Sequence, residues 1–224
     1  MAGITLRRSE MNGIRGIVVR YFLLLCAMAS SGCIVVSINP WLGDSSLETK
    51  TIIAGTWIDT NENIVATFEG KTNAPGRYEL NLFHQIESGQ CAYECKLHSV
   101  DGSLLLQAGP KDTPDSSPGT IMPVFMLLKA DLTDGQMKLY LMDASAFGAR
   151  AKKAKLIVAA RSPKQTKKDE EAVIVGSWTT ELEEFTKKNL KQDNFFLKKP
   201  LYSFARRMTT NSPSCQPLPK EPPK

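Results

Sequence analysis

The chain has 224 residues, of which 42% are hydrophobic and 23% charged, and its formal net charge is +5. These values are typical of one globular domain with additional terminal segments, and they exclude a low-complexity chain. The first 33 residues hold four arginines against one glutamate, which leaves 24 basic and 22 acidic residues, a net charge of +2, for the remainder. So weak a surplus argues against nucleic-acid binding.

Residues 1–33 have the features of a signal peptide. Four arginines come first, an apolar run over Tyr21–Ala29 follows, and the small residues Ser30–Gly32 come next. This order of charged, apolar and small residues is typical of an export signal. The apolar run is shorter than the ~20 residues that a membrane-spanning helix needs. The chain is therefore expected to be exported.

Two cleavage sites compete at the end of this segment. Ser30-Ser31-Gly32-Cys33 resembles the lipobox of bacterial lipoproteins, in which the cysteine receives a thioether-linked diacylglycerol and becomes the mature N-terminus. Ile34 follows the cysteine, and by the same resemblance this favours the outer membrane. The alternative is Ala27-Met28-Ala29, an ordinary signal-peptidase site that would release a soluble secreted protein cut after Ala29. We expect a lipid on Cys33 and a membrane-anchored domain that faces the periplasm.

The mature chain divides into three parts. Turn-forming residues interrupt any period in residues 34–50, which we interpret as a tether. Residues 51–207 are rich in short alternating segments and are expected to form the folded domain. Residues 208–224 contain five prolines and are expected to be disordered.

Alternating apolar and polar residues predict a succession of strands in the first part of the domain. The predicted strands are Ile64–Glu69, Arg77–Gln85, Cys91–Val100, Ser103–Ala108, Met122–Asp131 and Gln136–Asp143. Turn residues at Ser88-Gly89, Asp101-Gly102 and Asp134-Gly135 predict three hairpins between them.

The hairpins also predict which residues face each other. The pairs are Leu82 with Cys95, Leu80 with Leu97, His84 with Tyr93, Glu79 with His98, Leu97 with Leu106, Cys95 with Ala108, Leu128 with Leu141, Ala130 with Leu139, and Asp131 with Lys138. The apolar set stays on one face through each hairpin, as side-chain alternation requires. This pattern predicts an all-β fold, an antiparallel up-and-down barrel with one or two short helices.

The second part of the domain mixes strands and helices. A short helix is predicted over 144–155, and a second over 179–189 with a capping box between Thr180 and Glu183. Further strands are predicted over 156–160, 172–178 and 201–207. Trp57 and Trp178 both stand in Gly-x-Trp contexts, and packing in the core or at a barrel end is expected for both.

Four short motifs are similar to those of a group of small bacterial lipocalin-like proteins, often lipoproteins, of unassigned activity. They are Gly55-Thr56-Trp57, Met122-Pro123-Val124-Phe125, Leu141-Met142-Asp143, and the run 180–185 with Phe195 or Phe196. The first motif also resembles the first-strand signature of lipocalins, whose tryptophan packs across the barrel bottom under an arginine of the last strand. The resemblance implies a lipocalin-like barrel in which Arg206 or Arg207 covers Trp57, and it implies no known ligand.

Cysteines and histidines do not converge in the predicted sheet. Cys91 and Cys95 are four residues apart on one strand, about 13 Å between Cα atoms, which is too far for a disulfide. Cys95 is expected to be a core residue, and a Cys91–Cys215 disulfide is left open. His84 and His98 fall on opposite faces, so no metal site is predicted. No catalytic residue and no cofactor is expected, and the chain is not predicted to be an enzyme.

Two functions remain for a β-barrel domain that a lipid anchors to a membrane of the cell envelope. In the first, the barrel binds a small apolar ligand; in the second, a solid barrel makes a non-catalytic structural or interaction protein. The expected ligand-lining residues are Tyr78, Leu80, Leu82, His84, Tyr93, Leu97 and Leu106. An interior pocket of at least about 300 Å³ would favour the first, because ligand sites start near that volume.

Overall fold

The structure is a computed structural model that describes residues 34–59, 61–84, 89–111, 124–161 and 172–207. Within these residues the chain forms strands, two α-helices and one 3-10 helix at Asp44–Ser46. The strands are β1 (Val35–Ser37), β2 (Gly55–Asp59), β3 (Ile64–Gly70), β4 (Arg77–His84), β5 (Gly89–Val100), β6 (Ser103–Pro110), β7 (Phe125–Thr133), β8 (Gln136–Leu141), β9 (Val158–Arg161), β10 (Ala172–Val175) and β11 (Tyr202–Arg206). The helices are α1 (Ala144–Lys153) and α2 (Thr179–Asn189).

Eight of the strands close into an antiparallel barrel. Strands β2 to β8 pair in chain order, each with the next. Strand β11 lies between β8 and β2 and completes the ring. The predicted all-β, up-and-down barrel with short helices is therefore confirmed. Closure leaves no free edge in the ring, which is the usual solution to the exposed-edge problem in small antiparallel folds.

Two of the three predicted hairpins have the predicted register. In the β5–β6 hairpin Leu97 pairs with Leu106, and the turn residues Asp101 and Gly102 have φ angles of 49° and 79°. Two positive φ angles in succession are the signature of a type I′ turn, which Asp-Gly favours. The β7–β8 hairpin pairs Leu128 with Leu141, as predicted.

The register of the β4–β5 hairpin was predicted wrongly. Leu82 pairs with Cys91 and Leu80 with Tyr93, whereas the predicted partners were Cys95 and Leu97. The predicted pairs His84 with Tyr93 and Glu79 with His98 fail for the same reason. Alternation fixes only the face of each residue, and a slip of four residues keeps every side chain on its face. The turn sets the register of a hairpin. Gly89 was predicted to lie in the turn, but it pairs with His84 in the strand ladder.

Residues 34–50 are not a tether. Strand β1 pairs in parallel with β10 and also extends along the edge of β7, where Val36 lies opposite Met126. Trp41 and Leu42 are fully buried, and the Trp41 indole donates a hydrogen bond to the Phe125 carbonyl at 3.0 Å. The Pro, Gly and Ser residues of this segment do interrupt its period, but the apolar residues between them pack on the outer wall of the barrel. The folded domain therefore includes Ile34 and the residues that follow it, well before residue 51.

The domain has two apolar cores on opposite sides of the barrel wall. The inner core fills the barrel and includes Trp57, Phe68 and Leu97. The outer core lies between α1, α2 and β1 on one side and the outward residues of β5, β6 and β7 on the other. Aromatic rings run edge to face through it, from Trp41 to Phe147 at 5.8 Å between centroids and from Phe147 to Phe185 at 5.3 Å. The helices are thus an integral layer of the fold.

Helix α2 has the predicted bounds but a different N-terminal cap. Trp178 is the N-cap residue, and the Glu181 carboxylate accepts a hydrogen bond from its backbone N–H at 3.3 Å. The predicted capping box between Thr180 and Glu183 is therefore wrong by two residues. The Glu183 carboxylate instead accepts from the Gly43 N–H at 3.1 Å, which links α2 to the N-terminal segment.

Candidate functional site

Trp57 lies in β2 and belongs to the inner core of the barrel. Its side chain is buried, and the indole N–H donates to the Ile53 carbonyl at 2.9 Å. The Arg206 guanidinium lies over the indole ring, 5.5 Å from its centroid, and donates to the Ala54 carbonyl at 2.8 Å. Arg206 therefore has the position that the resemblance implied for an arginine of the last strand. Arg207 is exposed, and its contact is a backbone hydrogen bond to Thr56.

The residues predicted to line a ligand site lie in the barrel interior, but most of them are packed. Tyr78, Leu80, Leu97 and Leu106 are buried members of the inner core, with Leu82 and Tyr93 partly buried against it. The Tyr78 hydroxyl donates to the Thr51 carbonyl at 3.1 Å, and burial raises the pKa of this side chain. The polar atom of Tyr78 is thus already engaged by the fold.

The remaining space inside the barrel is small. An apolar cavity of about 30 Å³ lies in the interior. Its lining includes Ala66, Phe68, Leu80, Leu82, Tyr93, Ala108, Met126, Leu128, Leu139, Leu201, Tyr202 and Phe204. Ligand sites start near ~300 Å³, so the cavity has about a tenth of the volume required. Of the two alternatives left open by the sequence, this volume favours the solid barrel, whose interior is filled by its own side chains.

The two histidines lie on opposite faces of the sheet, and they have different surroundings. His84 ends β4 on the face of Leu80 and Leu82, and is partly buried. His98 is on the outer face, fully buried beneath the N-terminal segment and α2. Its Nδ1 lies 2.9 Å from the Ser46 hydroxyl oxygen, while Nε2 is buried with no partner among the described residues. Burial is the main reason that the pKa of His98 falls to about 4.

The described cysteines are free thiols. Cys95 is fully buried in the inner core, and burial raises its pKa strongly. Cys91 is partly buried, and its pKa is also raised, mainly by burial. Protonated thiols are poor nucleophiles and poor metal ligands, so neither side chain is activated for such chemistry. Cys215, and with it the possible Cys91–Cys215 disulfide, lies outside the described residues.

Two buried polar side chains hold backbone groups of the fold. The Asp59 carboxylate accepts from the Ser203 N–H at 2.7 Å and from the Asn61 N–H at 3.0 Å. The Gln107 side-chain oxygen accepts from the Leu42 N–H at 3.0 Å, which fastens the N-terminal segment to β6. Across the described ranges, His, Cys, Asp and Glu side chains form no cluster of three or more that could hold a metal ion. In the same part of the chain, neither helix is long and apolar enough to cross a membrane.

The first described residues, on either side of β1, are hydrogen-bonded to β10. The Ile34 carbonyl accepts from the Val173 N–H at 2.9 Å, and the Ile38 N–H donates to the Val175 carbonyl at 3.0 Å. Ile34 is itself buried. The predicted lipid-attachment residue, Cys33, lies outside the described residues, but it is covalently joined to Ile34, whose carbonyl is hydrogen-bonded to β10.

A surface groove adjoins this part of β10. It lies between α1 and the β9–β10 pair and has a volume of about 520 Å³. Its lining includes Ala144, Ser145, Gly148, Lys152, Leu156, Val158 and Val173. This volume falls within the range of ligand sites, unlike the cavity of the barrel. Sequence reasoning missed the groove because its walls come from segments that are distant in the chain; a glycine inside a predicted helix was the signal available.

Trp178 does not pack at a barrel end, contrary to the expectation from its Gly-x-Trp context. Its side chain is 71% exposed, and the side chain of Ile157 is 64% exposed. Gly176 connects the two: it precedes Trp178 by two residues, and its N–H donates to the Ile157 carbonyl at 2.8 Å. The same Gly-x-Trp motif therefore occurs in two very different environments, buried at Trp57 and exposed at Trp178.

Comparison of the chain with protein-family models, with curated proteins and with solved structures found no match.

Proposed function

We propose that this chain is a lipid-anchored, non-catalytic protein of a bacterial cell envelope, with the solid barrel of a structural or interaction protein. One observation carries the proposal: Ile34, the residue that follows the lipobox-like Cys33, is buried and hydrogen-bonded within the folded domain. Cleavage before Cys33 would remove the whole signal segment and leave no additional residues between the lipid and the fold. Cleavage after Ala29 would leave four further residues in front of the domain.

The packed interior favours the interaction protein over the ligand carrier. A cavity of about 30 Å³ has room for about two water molecules, since each needs roughly 10–15 Å³. The buried Asp59 side chain is engaged by backbone N–H groups. The barrel therefore serves the proposed function as a rigid scaffold, and the surface of the domain is the part that meets partners. A lipocalin-like relationship is part of this proposal and is supported by the Trp57–Arg206 contact.

The anchor is tested with Cys33→Ser and the matched control Cys26→Ser, which removes a cysteine from the same segment. Both are expressed in a Gram-negative host, and membrane and soluble fractions are compared. We expect Cys33→Ser to leave the membrane fraction while Cys26→Ser stays in it. Mass spectrometry of the N-terminal peptide is expected to give a mature chain that begins at Cys33 and carries a diacylglycerol.

Two results would refute the anchor. One is a mature N-terminus at Ser30, which corresponds to the secreted alternative. The other is a Cys33→Ser protein that fractionates with membranes as the parent does. The solid barrel is tested separately by native mass spectrometry of Cys33→Ser, for which a co-purifying lipid-like mass would contradict the proposal.

A further inference from the structure

The groove beside α1 is large enough for a hydrocarbon chain and has an apolar floor. Its volume is about 520 Å³, and Leu156, Val158 and Val173 form the apolar side opposite the helix. Val158 and Val173 belong to neighbouring strands, so this side is a short stretch of sheet. Ligand sites have this kind of volume and this apolar character.

The helix wall of the groove is built from three small residues and Lys152. Ala144, Ser145 and Gly148 lie on the side of α1 that faces the groove. Glycine is among the poorest helix formers, and Gly148 lies in the middle of α1. A Cβ built on Gly148 would meet no atom of the described residues within 4 Å. Packing within the described chain therefore gives no reason for the glycine, whereas a longer side chain there would fill the groove.

The groove adjoins Ile34, the residue that follows Cys33 in the chain. Val173 lines the groove, and its N–H donates to the Ile34 carbonyl at 2.9 Å. Cys33 is joined to Ile34 by one peptide bond, so the Cα atoms of the two residues are ~3.8 Å apart. A lipid on Cys33 would thus be attached one residue away from Ile34, which is hydrogen-bonded to a residue of the groove lining. Attachment at this distance makes entry into the groove intramolecular, which raises the effective concentration of the acyl chain.

We propose that this groove binds one acyl chain of the lipid on Cys33. The inference rests on the proposed lipidation of that residue. With one chain held against Val173 and Val158, the remaining acyl chains alone anchor the protein to the bilayer. Membrane attachment then becomes weaker and more reversible, because anchoring strength depends on the number of inserted chains.

The test compares Gly148→Leu, which fills the groove, with Ala149→Leu, which adds the same side chain at an exposed position of the same helix outside the groove. Each lipidated full-length protein is purified in detergent and transferred to vesicles of phosphatidylcholine, whose neutral surface removes any contribution from the charge of Lys152. We expect Gly148→Leu to lower the vesicle dissociation constant more than tenfold, because the acyl chain is expelled into the bilayer. We expect Ala149→Leu to bind as the parent does.

A second measurement does not depend on a variant. Nuclear Overhauser contacts between the acyl methylenes and the methyl groups of Val158 and Val173 are expected in the lipidated protein and absent from Cys33→Ser. Gly148→Leu is expected to remove them, and circular dichroism checks that the variant is folded.

The outcomes separate this inference from the function on which it rests. An unmodified Cys33 in the mass spectrum would refute lipidation and remove the basis of the inference. A lipidated Cys33 with equal vesicle binding for Gly148→Leu and Ala149→Leu would overturn the groove as an acyl site and leave the anchor standing. A change from dimer to monomer on Gly148→Leu, with vesicle binding unchanged, would assign the groove to a second copy of the chain and would also overturn the inference.

Discussion

His98 is expected to make the domain less stable in mild acid. The imidazole is fully buried between the barrel wall and the N-terminal segment. The Ser46 hydroxyl donates to the Gly43 carbonyl at 3.0 Å, so its oxygen accepts from His98, and the proton of the neutral ring is on Nδ1. Protonation would place a second proton on the buried Nε2, which has no partner within the described residues. A charged ring at this site would therefore be both desolvated and incompletely hydrogen-bonded.

The size of the effect follows from the pKa of His98 in the two states. It is about 4 in the folded protein against 6.5 for an unperturbed histidine, chiefly because of burial, with Lys96 adding to the decrease. Asp44 and Glu183 act in the opposite direction and are outweighed. Below pH 6.5 the unfolded chain binds a proton that the folded chain does not, so stability is complete above 6.5 and is lost as the pH falls toward 4. At about 1.4 kcal/mol per pKa unit, the total loss is about 3 kcal/mol.

Urea unfolding followed by tryptophan fluorescence between pH 7 and pH 4.5 measures this loss. His98→Asn retains a donor toward Ser46 and removes the titration, so its stability is expected to change little over this range, from a lower starting value. The chain has two histidines, and His84→Asn is the matched control, which replaces the other histidine in the same way. The carboxyls of Asp44 and Glu183 have lowered pKa values, and the stability they contribute is lost only below their ordinary values of 3.8 and 4.5. Equal losses for His98→Asn and the parent between pH 6.5 and 4.5 would contradict this account.

Two further predictions concern the barrel itself, and both are measured by urea unfolding at pH 7. Ala66 is fully buried beside the 30 Å³ cavity, so Ala66→Leu is expected to overpack the interior and to lower the free energy of unfolding by about 1–3 kcal/mol. A stabilised Ala66→Leu variant would mean that the barrel has unfilled space after all. Trp57→Ala is expected to cost about 3–5 kcal/mol through loss of a buried ring, and Arg206→Gln about 1 kcal/mol through loss of the cation–π contact. If Arg206→Gln were as damaging as Trp57→Ala, the arginine would have a role beyond covering the ring.

Local sequence patterns predicted the strands of this domain better than they predicted which residues pair between those strands. Alternation and Asp-Gly turns are signals within a few residues, so the β5–β6 and β7–β8 hairpins were predicted with their registers. The β4–β5 hairpin lacked so clear a turn, and its register was predicted four residues away from the observed one. The inward face was still correct, because a register error by an even number of residues does not exchange the two faces of a strand.

By itself the sequence determined an all-β barrel and its inward set of side chains, whereas the export signal of residues 1–33 stays a prediction. Three features depended on tertiary structure: the incorporation of β1 into the sheet, the filling of the barrel, and the groove between α1 and the β9–β10 pair. Each of these arises from side chains that are far apart in the chain and meet only when the fold closes. Ile34 and Val173 illustrate the reason, since a hydrogen bond between residues so distant in the chain leaves no periodic trace in either segment.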